Sequence, residues 1–296
     1  MSAPVAVKEG AGRVKRGPLI SRWGALAVPL LLFLTFAFLV PMFLIVVRSV
    51  TDPANVGTGN YVTFFTTEAN MRVLGNTFYI AVVCTVACLA IGYPYAYLMS
   101  IVPQRVAGIM LVFVLVPFWS SLLVRTFAWE VILRDTGLIN TLLLNLKVIS
   151  EPLPLIRNTF SVILGMSQIL LPFMVLPLYS VMQKIDPELT RAAANLGAPP
   201  FSAFRRVFVP LSYPGVTAGC LLVFVLALGF YITPTILGSA RETMISRFIA
   251  DQVQVRVNWG LASAMAVVLM VLTFVVLAVA SRFVKLRDVY GALGEG

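Results

Sequence analysis

The residues that most often carry out acid–base or covalent chemistry are nearly missing from this chain. It contains no histidine, which removes the commonest general base and the commonest transition-metal ligand. The three cysteines, Cys84, Cys88 and Cys220, each lie inside a long apolar run, where a thiol reads as a small packing group rather than a disulfide or metal ligand. There is no Gly-x-x-x-x-Gly-Lys-Ser/Thr loop to cradle a nucleotide phosphate, no Ser/His/Asp or Cys/His set, and no metal-ligand spacing. The expectation is therefore a protein that is not an enzyme, with no catalytic residue, cofactor or metal of its own. If it moves something uphill, the energy must come from a separate subunit. The remaining polar chemistry is concentrated in a few segments: residues 184–213, the stretch from Trp119 through Arg125, Trp129 and Glu130, the pair Phe230 and Tyr231, and Asp251.

The elements that hold these segments are set by six runs without Asp, Glu, Lys or Arg: 25–47, 73–104, 106–124, 158–183, 207–240 and 257–281. The 296 residues are 59% hydrophobic and only 11% charged, unlike a soluble domain of that length. Crossing about 30 Å of hydrocarbon takes about 20 helical residues, so each run suffices for one span. The surplus at 73–104 and 207–240 is assigned to helix ends and loops. A β-barrel would need alternating segments, and these runs do not alternate. The fold class is all-α, with six transmembrane helices.

The first run has the basic flank of a signal peptide (Lys8, Arg13, Lys15, Arg16, Arg22). It is too long for a signal core and no small-x-small site closes it, so it reads as a retained helix behind a tail at 1–22. The membrane domain then spans 23–285, with a second tail at 286–296. With both termini cytoplasmic, inside segments carry 13 Lys and Arg against 5 acids, and outside segments 9 against 7. The positive-inside rule favours that orientation. Topology and anionic lipid account for the net charge of +10, and no nucleic-acid partner is needed.

The loop at 184–213 has explicit local chemistry. Asp186 reads as an N-cap, Pro187 suits the first helical position, and Glu188 faces the positive end of the helix dipole. Gly197, followed by Pro199 and Pro200, is a stop signal. Leu189, Ala192, Ala193 and Leu196 share one face of the intervening helix. A second short helix is expected from about Pro200 to Phe208, ending before Pro210. Two readings are open for the apolar face: a helix resting on lipid headgroups, or a docking helix whose alanines permit close approach of another backbone.

The spacing Arg191-Ala192-Ala193, three residues, Gly197, nine residues, Val207, Phe208, Val209, Pro210 resembles the EAA signature of permease subunits of binding-protein-dependent ABC importers. The usual Glu is Arg191 here, and an Asp often found two before the Gly is Asn195. The resemblance covers roughly 20–285. Val116-Pro-Phe-Trp119, Arg125-Thr-Phe-Ala-Trp129, Gly137-Leu-Ile-Asn140, Leu170-Leu-Pro-Phe-Met-Val-Leu-Pro-Leu-Tyr179 and Tyr231-Ile-Thr-Pro-Thr-Ile-Leu-Gly238 look like the first permease of spermidine/putrescine importers.

That resemblance implies a type I importer permease fold in a bacterial inner membrane. It also implies a second homologous permease, two cytoplasmic ATPase subunits that bind ATP and Mg, and a periplasmic or other extracytoplasmic substrate-binding protein. Asp186, Leu189, Arg191, Ala192, Ala193, Leu196, Gly197 and Pro210 would form the ATPase-coupling surface. The implied solute is a polyamine or a similar small molecule. A polycation needs carboxylates or aromatic faces along its path. Trp119, Trp129, Glu130, Tyr231 and Asp251 are the candidates, with interfacial anchoring as the alternative for the aromatics. Arg125 suits an interfacial or inter-subunit contact better than a cation ligand. The rival function is a stand-alone secondary carrier, which the charge-free spans disfavour. Elsewhere, Gly215 and Gly219 form a GxxxG that permits close helix contact, Pro172 and Pro177 suggest kinks, and a short interfacial helix is expected around Leu138–Leu146.

Overall fold

The computed structural model describes residues 22–52 and 56–293, and every regular element among them is helical. The expected N-terminal tail, save its last residue, and the final three residues of the C-terminal one lie outside the described residues. The chain divides after Val47 into two compact units. The first holds most of α1 (Arg22–Thr51), whose stretch Val28–Thr51 has a mean hydropathy of 2.9 and is long enough to cross a membrane. The features below all belong to the second unit.

Its centre is a trio of long helices: α3 (Glu68–Ile101), α7 (Thr159–Met182) and α10 (Val209–Leu228). Ile80, Cys84, Cys88, Met166, Leu170, Met174, Leu178 and Val223 are buried between them. Helices that cross lipid gain little from the hydrophobic effect on meeting one another, so close approach at small residues carries the packing. Met174 shows this directly. A Cβ added at Gly92 would lie 2.9 Å from its Cγ, and one added at Gly219 would lie 2.8 Å from its Sδ. At Gly215 a Cβ would meet the Leu178 Cα and the Pro177 carbonyl oxygen, each at 3.1 Å. The GxxxG of α10 is thus the seam against α7. Pro172 and Pro177 both lie inside α7, which continues through them. A smaller core forms where α2 (Gly59–Thr66) and α12 (Ile245–Gln254) meet α13 (Trp259–Leu293), around Phe64, Ile245, Leu261 and Met265. Helix α13 extends past the expected domain end at 285.

Among the described residues five helices are long and apolar enough to span a membrane without a break, and a bent pair makes a sixth if it is one span. The run 106–124 is not one straight helix. Helix α4 (Gln104–Leu115) tightens into a 3₁₀ turn over Val116–Trp119, and the chain then bends by 96° into the stretch Leu122–Asn145, which opens with α5 (Leu122–Leu133). The break has a local cause. Ser120 and Ser121 are both extended, and the Ser120 hydroxyl and N–H both donate to the Pro117 carbonyl, at 2.8 and 3.2 Å, closing the turn there. The expected short helix around Leu138–Leu146 is present as α6 (Leu138–Asn145).

The segment before α10 also departs from expectation. The helix does not stop before Pro210. After α8 (Pro187–Asn195), α9 (Pro200–Ala203) opens into a π turn over Phe204–Phe208 that leads straight into α10. Proline lacks the N–H an α-turn requires and crowds the carbonyl four residues back. A wider turn at that place lets the helix carry Pro210 in its first turn. At the other end of α10 the helix stops at Leu228. Phe230 and Tyr231 therefore lie in a break before α11 (Ile232–Leu237), not within the fifth span.

Candidate functional site

The loop between α7 and α10 is built as its residues dictate. The Glu188 N–H donates to Asp186 Oδ1 at 2.9 Å, and the Leu189 N–H to the Asp186 carbonyl at 3.2 Å, which caps the start of α8. At the other end Gly197 adopts φ +85°, and the Ala198 N–H returns to the Ala193 carbonyl at 3.1 Å, one bond of a Schellman stop. Only a residue without Cβ takes that backbone shape freely. The apolar face of α8 points outward: Leu196 is 90% exposed, Leu189 47%, and Ala192 is exposed, while Ala193 is half-buried. Arg191 is exposed and has no ion pair among the described residues. Pro210 is exposed in the first turn of α10.

Beneath α8 lies a cleft of about 290 Å³, walled by Tyr97, Ile101, Met182, Ile185, Phe204 and Phe208 and rimmed by Asp186 and Arg191. Its back wall is a cluster of aromatic rings. Tyr97 of α3 stands edge-on to Phe204 and Phe208, with centroids at 5.1 and 4.9 Å, and those two rings stack on each other at 5.6 Å. Tyr93 meets Phe204 at 6.4 Å. The Ser212 hydroxyl donates to the Val209 carbonyl, so the 2.9 Å bond between Tyr93 and Ser212 is donated by the tyrosine. Sequence reasoning missed this cluster. Its only trace there is the pair of four-residue spacings, Tyr93 to Tyr97 and Phe204 to Phe208.

The candidate solute contacts do not converge. Trp119 sits in the 3₁₀ turn, 79% exposed. Trp129 and Glu130 lie on α5, beyond the sharp turn. The Trp129 indole N–H donates to Gln168 of α7 at 3.3 Å, and Glu130 is held by Arg134 at 2.6 Å. Glu130, Arg134, Asp135 and Arg157 line a second cleft of about 470 Å³. Tyr231 precedes α11, which packs on α5 through Thr126 and Thr233, 3.4 Å apart. Asp251, half-buried on α12, has no ion pair among the described residues. On α5 the Nε of Arg125 is buried and meets no hydrogen-bond partner among the described residues.

A structural carboxylate also escaped sequence reasoning. Glu242 closes a capping box with Ser239: the Ser239 N–H donates to Oε2 at 2.9 Å and its hydroxyl at 2.5 Å, while Thr159 of α7 donates to Oε1 at 3.1 Å. Burial alone would raise its pKa, but these hydrogen bonds outweigh burial and hold it below the usual carboxylate value.

Residues 90–287 match the family described as binding-protein-dependent transport system inner membrane component. The chain is 34% identical over 263 residues to the spermidine/putrescine transport system permease protein PotB of Haemophilus influenzae, covering 86% of this chain and 92% of that one. It is 36% identical over 217 residues to PotB of Escherichia coli, covering 73% and 79%. Among solved structures, a bacterial ABC transporter involved in import of the acidic polysaccharide alginate shares the fold with a TM-score of 0.66 at 16% identity, over 88% of this chain and 94% of that one. The alginate transporter in complex with a periplasmic protein bound to alginate pentasaccharide gives 0.68 at 17% identity, over 86% and 91%.

Proposed function

The chain belongs to the family of binding-protein-dependent transport system inner membrane components, and from that premise we propose that it is the permease through which a polyamine or a similar small solute enters the cell. It is a multi-pass inner-membrane subunit of an ABC importer and a transporter component rather than an enzyme. It works with a binding protein and an ATPase. A second, homologous permease completes the pore, and two ATPase subunits holding ATP and Mg dock on the cytoplasmic side. Both termini face the cytoplasm, as the distribution of Lys and Arg favours.

The observation that carries the docking role is the outward apolar face of α8, held between the Asp186 cap and the left-handed Gly197. A helix fixed at both ends and bare on its apolar side offers a rigid knob to a groove on another protein. Closure of the ATPases on ATP would push this knob, and alternating access would follow from rocking of the helix bundles. Polyamine as the substrate class rests on the names of the relatives at 34% and 36% identity. Glu130 and Asp251, with Trp119, Trp129 and Tyr231, supply carboxylates and aromatic faces for a cation at successive points rather than in one pocket.

Deleting 189–197 tests the docking role. ATPase subunits should no longer co-purify with the permease pair, and uptake should cease. Intact co-purification and uptake would reject it. A stand-alone carrier would instead show gradient-driven uptake with this chain alone in liposomes.

A further inference from the structure

Helix α8 is joined to α7 by the short connection 183–186, whose Ile185 packs against the main core, and to α10 by the segment that follows it. It packs on α9 and on the π turn Phe204–Phe208. That segment continues into α10, which is one route to the bundle. The route to α3 is made of side chains: the Tyr97 ring on α3 lies against both Phe204 and Phe208, and Tyr93, one helical turn earlier, reaches Phe204 and the Ser212 hydroxyl. The cleft on the outer side of these rings leaves room between α8 and the end of α3. Removing the rings would leave α8 joined to α7 and α10 but would take away its side-chain link to α3.

Resting on the coupling role given to the loop above, we propose that Tyr97, Phe204 and Phe208 are positioning residues that make the loop and the inner end of α3 move as one body, so that ATPase closure drives α3 as well as α10. The geometry suits this. Aromatic pairs prefer edge-on or offset contacts and resist sliding into others. The three rings form a closed triangle with centroid separations of 4.9, 5.1 and 5.6 Å, two contacts edge-on and one stacked. Phe204 and Phe208, four residues apart within the π turn, share one face and stack on each other. The Tyr97 hydroxyl has no hydrogen bond among the described residues, so the ring, not the oxygen, carries the contact.

The test uses the complete importer in liposomes, with ATP hydrolysis and solute uptake measured together. Phe204→Leu and Tyr97→Leu should still assemble with the ATPase, but solute moved per ATP should fall roughly tenfold, the loss expected when coupling gives up the contacts of one ring. Tyr97→Phe, which keeps the ring, should restore the ratio. Wild-type coupling in both leucine variants, or a Tyr97→Phe variant as defective as Tyr97→Leu, overturns the proposal. A second measurement needs no ring variant and decides the matter if the leucine variants fail to assemble. Spin labels at Ile101 and Arg205, both exposed, should keep one separation with and without ATP. A separation that changes on ATP binding overturns the proposal. Failure of the ATPase to bind the wild-type permease would instead strike at the docking role itself.

Discussion

Substituting Gly197 separates backbone shape from steric fit in the coupling loop. The residue has φ +85°, and a Cβ built there meets nothing within 4 Å. Alanine therefore adds no clash, and its whole cost is conformational, about 1–2 kcal/mol for an L-residue held in the left-handed region. A penalty of that size is a factor of about 5–30 in the population holding the shape. Because the site is exposed and remote from the α3–α7–α10 core, thermal stability should move little, while affinity for the ATPase should fall by about that factor. Asparagine, which enters the left-handed region more readily, should lose less. The assay is titration of purified ATPase onto the permease pair, with uptake measured in parallel. Wild-type affinity for Gly197→Ala, or an asparagine variant worse than the alanine one, would refute the idea that the loop's left-handed turn shapes the docking surface.

Other outcomes follow from the packing and the outer polar groups. Gly219→Val should destabilise the bundle by about 1–3 kcal/mol through Met174, and Met174→Ala in the same chain should recover part of the lost thermal stability. Glu242→Gln should lower the melting temperature at neutral pH and flatten its acid dependence. The folded carboxyl titrates below its unfolded value, so its stabilisation is complete above the ordinary carboxylate range and is lost as pH falls through the depressed folded pKa. Arg134→Gln frees the Glu130 carboxylate from its 2.6 Å pair and should lower the KM for a cationic solute, whereas Glu130→Gln should raise it. Unchanged uptake kinetics in both would remove Glu130 from the solute path.

What was legible in the sequence was what short-range rules govern. Asp186, Pro187 and Gly197 obey capping and stop chemistry within a few residues, and the helix between them lies where those rules put it. Five of the six apolar runs hold an unbroken helix long and apolar enough to span a membrane, because length and charge exclusion are properties of each run alone. The third does not, because the turn at Ser120–Ser121 depends on hydroxyl and N–H bonds back to Pro117, and hydropathy does not register them. Pro210 read as a helix stop, yet the π turn ahead of it absorbs its missing donor. The Tyr97–Phe204–Phe208 cluster joins residues more than a hundred positions apart, and no local rule reaches that far.

The most direct measurement is photo-crosslinking from position 196. Leu196 is 90% exposed on the apolar face of α8, so a benzophenone side chain there replaces a group with few contacts of its own. In the assembled importer the adduct should form on the ATPase subunit and should respond to ATP. An adduct only with lipid, or none with the ATPase, would mean that this helix rests on the membrane surface and that ATP drives the permease from elsewhere.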